Sequence, residues 1–241
     1  MAFEENRYYK NNYDYTSQES IHGFAKRLIN SSLKQICHED ILLEDINYSQ
    51  NKNIKKRSGR GIGSYLEEFY FGYSRNSKPE PDFPEAELEL KSAGLKYHND
   101  KYIKKEPRLT LGTIQNNEIV DEEFETSSFY KKNKALLILF WLEEKNNSNI
   151  HPTDKKFLFT TIYRLDGKDY EVIKKDWEYI RNKIRDCEAH NLRNRETVNL
   201  ESCGGEGNEN YYYNCPIPAK KKRFAYTKKF WNSIIDEACN S

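Results

Sequence analysis

The feature that most restricts the fold of this chain is an uninterrupted apolar run, ALLILFWL, at Ala135–Leu142. The run is far too short to span a bilayer, since a membrane helix needs roughly 20 apolar residues. Its length instead suits a strand that is covered by other parts of the protein. The sequence therefore predicts a buried strand here.

Other strands and helices are predicted around this run. Further strands are predicted at Leu88–Lys91, Arg108–Ile114 and Phe157–Leu165, and over RFAYT near the C-terminus. Helices are predicted from the spacing of apolar residues at Ser17–Ile36, Ile62–Gly72 and Tyr170–Leu192, and over KKFWNSIIDEA at the end of the chain. The Gly- and Asn-rich segment Glu201–Pro218 is predicted to be a loop. Helices flanking a central group of strands favour a mixed α/β layer fold.

Composition limits the class of protein. The 241 residues suffice for one large domain or two small ones, and 14% aromatic residues argue against a disordered chain. The net charge is only +1, but the charges are segregated: basic runs occupy Asn53–Arg57, Lys131–Lys134 and Ala219–Lys229, and acidic runs occupy Glu80–Glu89 and Asp121–Glu125. This pattern fits either ordinary solvated surface or a basic cleft beside an acidic site.

The cysteines indicate a reducing compartment. There are five, with no CxxC pair, which argues against a disulfide scaffold and a zinc site. A weaker alternative is a zinc site formed by Cys187, His190, Cys203 and Cys215. The N-terminus is polar and shows no signal peptide, so we expect a cytoplasmic protein with reduced thiols and no membrane partner.

The segment PEPDFPEAELELK carries the strongest chemical signal. If it is a strand, alternation places Glu87, Glu89 and Lys91 on one face and the leucines on the other. A solvated sheet edge is one interpretation of the charged face. The other is a Mg²⁺ site in which Asp82 and Glu89 supply carboxylates and the carbonyl of Leu90 adds a third oxygen.

Several motifs in one order resemble the family of the MutH mismatch-repair nicking endonuclease and the Sau-type restriction enzymes that cut at GATC. These motifs are the Gly-led helix ending in YLEEF, then SKPEPDF, ELKSAGL, FETSSFYKK before the apolar strand, DWEYI and FAYTKKFW. The resemblance covers roughly residues 18–236. It implies a restriction-endonuclease-like α/β fold of the PD-(D/E)xK type, with a central mixed sheet flanked by helices and two lobes that clamp duplex DNA.

The resemblance also implies roles for individual residues. Asp82 and Glu89 match the metal-binding carboxylates, with Leu90 contributing its carbonyl, and Lys91 matches the catalytic lysine. Glu68, fourteen residues before Asp82, matches an additional active-site glutamate, with Glu67 as its neighbour. Further matches are Lys132 as a second lysine near the active site, with Lys131 adjacent, and Tyr226, Lys228 and Lys229 as DNA-contacting residues.

The expected function is Mg²⁺-dependent cleavage of double-stranded DNA at GATC or a related short site. The alternative is a non-catalytic DNA-binding effector domain. The family's base-reading loop contains Arg and Lys, whereas Leu200–Ile217 contains neither, which puts the GATC site in question. Residues 1–241 are expected to form one endonuclease domain, either complete by itself or the N-terminal half of a two-domain restriction enzyme. A second effector domain or a homodimer would then be its protein partner.

Overall fold

In a computed structural model of the chain, the structure describes residues 12–37, 61–73, 79–99, 101–104, 108–143 and 150–240, with the backbone alone at 205 and 206. The basic run at Asn53–Arg57 and the first residues of SKPEPDF lie outside the described residues. The chain divides into two compact units. One takes in the described parts of Met1–Lys78, Asp82–Lys105 and Leu136–Tyr163, and the other those of Pro79–Pro81, Glu106–Ala135 and Arg164–Ser241.

The regular elements alternate along the chain. The strands are β1 (Glu89–His98), β2 (Lys101–Lys104), β3 (Leu109–Thr113), β4 (Ala135–Leu142), β5 (Phe157–Arg164), β6 (Leu200–Asn210) and β7 (Ala219–Tyr226). The α-helices are α1 (Gln18–Lys26), α2 (Leu33–Ile36), α3 (Ile62–Tyr65), α4 (Asn116–Ile119), α5 (Ser128–Asn133), α6 (Gly167–Arg185) and α7 (Lys228–Asn240). None of the described helices is long and apolar enough to cross a membrane.

The first unit is built on a mixed four-stranded sheet in the order β2-β1-β4-β5. Strand β1 runs antiparallel to β2 and parallel to β4, with Glu89 opposite Leu136. The residues of β4 from Ala135 to Phe140 are all buried, as expected for a strand covered on both faces. The predicted buried strand is confirmed.

Strand β1 continues well beyond the predicted end at Lys91. Its second half, SAGLKYH, has small and polar residues and no apolar run that would mark a strand. Pairing with β4 holds this half in place as far as Leu95, and pairing with β2 continues to His98. The extension therefore depends on neighbouring strands rather than on local sequence.

The prediction of one helix over Ser17–Ile36 is wrong in its second half. Helix α1 ends at Lys26, and α2 is a separate short helix. Asn30 between them has a left-handed φ of 65°, which a continuous helix does not allow. Ser32 then starts α2 with a capping box, which satisfies backbone N–H groups that a longer helix would have bonded internally.

The predicted helix at Ile62–Gly72 forms, but its geometry changes along its length. After the α-helical turn of α3, residues Leu66–Phe71 form a π-helix. Gly72 ends it in the left-handed region with a φ of 76°, as its position predicted. A π turn holds one residue more than an α turn, so it changes the direction of the side chains that follow.

The second unit contains an antiparallel three-stranded sheet in the order β3-β7-β6. The loop predicted at Glu201–Pro218 is wrong over its first half, because β6 pairs with β7 through Asn210. The pairing has two register shifts, and Gly204 and Gly207 in this stretch have positive φ values of 61° and 84°. The glycines that indicated a loop instead permit bulges within a strand.

The long helix α6 is shorter at its C-terminal end than the predicted Tyr170–Leu192. It ends at Arg185, and Cys187 just beyond it has a left-handed φ of 62°. Its predicted apolar face is buried, at Ile173, Trp177, Ile180 and Ile184. The predicted C-terminal helix is also present, as α7.

Two of the five cysteines are paired, contrary to the expectation of reduced thiols. Cys187 and Cys215 form a disulfide between the end of α6 and the segment before β7. The weaker zinc alternative is contradicted too, because it required both of these sulfurs as ligands. The other three cysteines, Cys37, Cys203 and Cys239, are free thiols. The cytoplasmic location stays a prediction.

Candidate active site

A tight turn before β1 places the predicted aspartate beside the predicted glutamate. Phe83 and Leu88 pair across the turn, each donating its N–H to the other's carbonyl, at 2.9 and 3.1 Å. Glu87 lies inside the turn with a φ of 51°, so the strand begins only at Glu89. The predicted alternation is therefore wrong for Glu87, which does not share a strand face with Glu89 and Lys91.

Hydrogen bonds join Asp82, Glu89 and Lys91 into one cluster. Oδ2 of Asp82 accepts from the Leu90 N–H at 2.9 Å, and the Asp82 N–H donates to Oε2 of Glu89 at 3.2 Å. Nζ of Lys91 donates to Oε1 of Glu89 at 2.5 Å as an ion pair. The Glu89 carboxylate thus bridges the backbone of Asp82 and the ammonium of Lys91. The turn and the start of β1 bring the three predicted residues together in the first unit.

When both of its carboxylates are ionised, the cluster carries two negative charges and one positive charge in a largely buried place. The side chain of Glu89 is 3% exposed and that of Lys91 is 18% exposed. Burial, and then the negative charge of Glu89, raises the pKa of Asp82 to about 8, although Lys91 acts in the opposite direction. One ammonium therefore does not offset two ionised carboxylates. The charge balance of the cluster suits an added cation.

The oxygen atoms of the cluster fit Mg²⁺. This ion binds one or two carboxylates and keeps several waters, rather than requiring a cage of protein ligands. Within the described part of the chain, no three His, Cys, Asp or Glu side chains are grouped to hold a metal ion. A Mg²⁺ ion here would therefore rely on the carboxylates of Asp82 and Glu89, the carbonyl of Leu90, and water.

The carboxylate of Glu67 lies near a position on the helix that also faces β1. Its Oε1 lies 3.9 Å from the point that a Cβ on Gly63 would occupy, and Oγ of Ser92 on β1 lies 3.7 Å from the same point. The negative charge of Glu67 also contributes to the raised pKa of Asp82. Glu68 is the next residue along the helix and projects in a different direction.

The family resemblance indicated Glu68, which lies beside Glu67 in the π-helical segment Leu66–Phe71. The role of Glu68 in the active site stays a prediction.

The remaining predicted residues belong to the second unit. Lys132 lies half-buried on α5. Lys228 and Lys229 are exposed in the first turn of α7. Tyr226 is fully buried at the end of β7, with its ring edge-on to Phe230 at 4.9 Å between ring centroids. The structure contradicts a direct DNA contact by Tyr226, because its side chain does not reach the surface.

Tyr73 is a residue of this region that the sequence did not indicate. It is 2% exposed, and its hydroxyl has no hydrogen-bond partner among the residues that the structure describes. Burial raises its pKa well above the ordinary value, and the charges of Asp82, Glu67 and Glu89 raise it further. The only sequence signal is a tyrosine directly after the helix-ending Gly72, which is not a pattern that predicts burial.

A mixed sheet flanked by helices, with an aspartate, a glutamate and a lysine at the start of one strand, defines a restriction-endonuclease-like fold of the PD-(D/E)xK type. Residues 71–176 match the family model described as DNA mismatch repair enzyme MutH. Over 225 residues the chain is 29% identical to the type II restriction enzyme Sau3AI of Staphylococcus aureus. These matches confirm the predicted resemblance to MutH and the Sau-type endonucleases, and the predicted fold class is confirmed.

The match to the restriction enzyme covers different shares of the two chains. It covers 92% of this chain but 43% of that enzyme. The chain thus spans less than half the length of this relative. What the complete relative does is therefore carried to this chain only as a proposal.

Proposed function

We propose that this chain is a Mg²⁺-dependent DNA endonuclease of the type II restriction or MutH kind. It cuts duplex DNA at a short specific site, either GATC or a related sequence. The observation that carries the proposal is the cluster in which Glu89 joins the Asp82 backbone to the Lys91 ammonium. The family matches support the same chemistry.

The roles of the cluster follow from its charges. Asp82 and Glu89, with the Leu90 carbonyl, would hold Mg²⁺. When bound, Mg²⁺ lowers the pKa of an attacking water and offsets negative charge on the leaving oxygen. Lys91 presents a positive charge next to the carboxylates, where it can orient the water and stabilise charge that develops on the phosphate.

The reaction is a hydrolysis that needs no further reactant. The water oxygen forms a bond to phosphorus and loses a proton, while the bond from phosphorus to the 3′ oxygen breaks. The leaving oxygen takes up a proton, so the products carry a 5′-phosphate and a 3′-hydroxyl.

The supporting carboxylate in this proposal is Glu67 rather than Glu68. Glu67 lies close to the Gly63 position that faces Ser92 of β1, and its charge acts on Asp82. A carboxylate outside the ligand set can orient water bound to the ion.

Residues of the second unit would bind the duplex. Lys228 and Lys229 are exposed, so they can contact phosphates without reading sequence. The role of Lys132 as a second lysine near the active site stays a prediction. Tyr226 would support this region through packing. Cleavage of both strands of a palindrome would need a second active site, from a homodimer or from two visits.

Cleavage of supercoiled plasmid tests the proposal. The unmodified chain, Lys91→Ala and Asp82→Asn are compared with Mg²⁺ and with EDTA, on DNA with and without adenine methylation at GATC. Lys96→Ala is the matched control, because Lys96 lies on the same strand β1 but outside the cluster. We expect Mg²⁺-dependent products from the unmodified chain and from Lys96→Ala, and a loss of at least 100-fold in the two cluster variants.

The products distinguish the remaining alternatives. Discrete fragments indicate double-strand cleavage, and sequencing their ends gives the recognition site. Nicked circles indicate single-strand cleavage of the MutH kind. DNA binding without cleavage under any divalent cation would refute the endonuclease and favour the effector domain.

A further inference from the structure

The ring of Tyr73 is held between the helix that carries Glu67 and the turn that carries Asp82. Its backbone N–H donates to the carbonyl of Glu67 at 3.0 Å, at the end of the π-helix. Its ring lies edge-on to Phe83, with 5.3 Å between ring centroids. Phe83 directly follows Asp82, so these contacts fix the phenol beside the carboxylate cluster.

The hydroxyl of Tyr73 is buried and donates no hydrogen bond to the described residues. It has no hydrogen-bond partner among the described residues, and leaving a buried hydroxyl unpaired destabilises the folded chain. Native proteins rarely keep such a group without a reason. The charges of Asp82, Glu67 and Glu89 all act on this hydroxyl.

One carboxylate oxygen of Asp82 accepts no hydrogen bond from the described residues. Its Oδ2 receives the Leu90 N–H, whereas Oδ1 receives no hydrogen bond from the part of the chain that the structure describes. An unpaired donor and an unpaired acceptor therefore lie in the same buried region of the first unit.

We propose that Tyr73 is a positioning residue of the carboxylate site, whose hydroxyl donates a hydrogen bond to Asp82 when Asp82 and Glu89 bind a divalent cation. The inference rests on the proposed metal site and adds a residue to it. Tyr73 acts through Asp82 and touches neither the DNA nor the reacting atoms. That hydrogen bond would pair both groups and hold the carboxylate in one orientation.

The test measures cation binding by isothermal titration calorimetry, with Mn²⁺ and with Ca²⁺, and thermal unfolding in EDTA. Tyr73→Phe removes only the hydroxyl and keeps the ring. Tyr70→Phe is the matched control, because Tyr70 is also buried, in the helix that precedes Tyr73, but its hydroxyl donates to the Phe24 carbonyl at 2.6 Å. Asp82→Asn reports whether the measured binding belongs to the carboxylate site.

We expect Tyr73→Phe to weaken cation binding about tenfold, in the range of residues that orient a metal ligand. Its melting temperature in EDTA should equal or exceed that of the unmodified chain, since an unpaired hydroxyl is removed. Tyr70→Phe should show the opposite pattern, with a lower melting temperature and unchanged cation affinity.

Tyr73→Phe could keep its cation affinity while Asp82→Asn loses cation binding. That result would overturn the role of Tyr73 and leave the proposed metal site standing. No saturable binding by the unmodified chain, or equal binding by Asp82→Asn, would overturn the role of Tyr73 together with the metal site. A tenfold loss in Tyr73→Phe in a chain that cuts no DNA would uphold the role of Tyr73 while the endonuclease proposal fails.

Discussion

At the scale of single residues, the two buried carboxylates of the cluster differ in how many hydrogen bonds they accept. Glu89 is almost fully buried, yet both of its oxygens accept hydrogen bonds, from the Asp82 N–H and from Lys91. Asp82 keeps one oxygen without a hydrogen bond from the described residues, and burial raises its pKa to about 8. Of the three side chains in the cluster, Asp82 is therefore the one whose protonation we expect a bound cation to change most.

The stability of the cation-free chain should depend on pH through Asp82. Because its folded-state pKa is raised from 3.8 to about 8, the folded chain holds a proton that the unfolded chain has lost. The free energy of unfolding in EDTA should therefore fall as the pH rises from about 4 to about 8, by up to about 1.4 kcal/mol per pH unit from this group. Urea unfolding at several pH values measures this slope.

Asp82→Asn should flatten that dependence, because the amide does not titrate. Asp236→Asn, at an exposed position on α7, should leave the slope unchanged. Equal slopes in the unmodified chain and in Asp82→Asn would contradict the buried, destabilised carboxylate.

The two adjacent glutamates of the helix should differ in effect. Glu67→Gln should slow DNA cleavage tenfold or more, because Glu67 lies near the Gly63 position that faces Ser92 of β1 and its charge acts on Asp82. Glu68→Gln should change the rate by less than threefold. Single-turnover cleavage of a plasmid at saturating enzyme measures both rates. A larger loss in Glu68→Gln than in Glu67→Gln would identify Glu68 as the supporting carboxylate.

At the scale of elements, the site depends on how closely β1 and β4 approach. These parallel strands place Gly94 opposite Trp141, and the indole ring fills the space beside the glycine. Nζ of Lys155 lies 3.6 Å from the centre of that ring and pairs with Glu143 at 3.2 Å, which holds the ring in place. The second half of β1 is thus fixed by a contact that only a glycine allows.

Gly94→Ala should destabilise the fold by about 1–3 kcal/mol, since the added Cβ would lie 2.6 Å from the Trp141 ring. Gly23→Ala is the control, because no atom lies within 4 Å of its added Cβ and it sits within α1. That change should instead stabilise the chain by about 0.5–1 kcal/mol. Chemical denaturation measures both, and an unchanged stability of Gly94→Ala would refute the close contact.

At the scale of the whole molecule, the proposed chemistry and the proposed DNA contacts belong to different units. The carboxylate cluster lies in the first unit, and the exposed pair Lys228 and Lys229 lies in the second. The proposed cation ligands lie in the first unit, so variants of the two lysines should leave cation binding unchanged.

Replacing both lysines, as Lys228→Ala with Lys229→Ala, should weaken DNA binding and reduce its salt dependence. Each lost phosphate contact lowers the slope of log affinity against log salt by about 1, so the pair should lower it by about 2. Fluorescence anisotropy with a labelled duplex in Ca²⁺ measures this across salt concentrations. Lys26→Ala, in the exposed last turn of α1, is the control and should leave the DNA affinity and its salt dependence unchanged. An unaltered slope in the double variant would show that Lys228 and Lys229 do not contact DNA phosphates.

Several elements could be predicted because their signals are local. The run Ala135–Leu142 is apolar throughout, and Gly72 is one of the few residue types that can end a helix in the left-handed region. Strand β6 could not be predicted, since its glycines form a strand only through pairing with β7. The Cys187–Cys215 disulfide likewise joins segments whose proximity depends on the fold of the second unit.

The sequence by itself determined the resemblance to MutH and the Sau-type endonucleases, the buried strand and the acidic pair with its lysine, because each depends on residue types at short, fixed spacings. Only the tertiary structure decided that the Glu67 carboxylate lies near the Gly63 position that faces Ser92 of β1, since that position depends on how the helix packs against the strand. It also decided that the Tyr73 hydroxyl lies buried, with no hydrogen-bond partner among the described residues. Burial and hydrogen bonding arise from contacts between separate segments, and no local pattern records them.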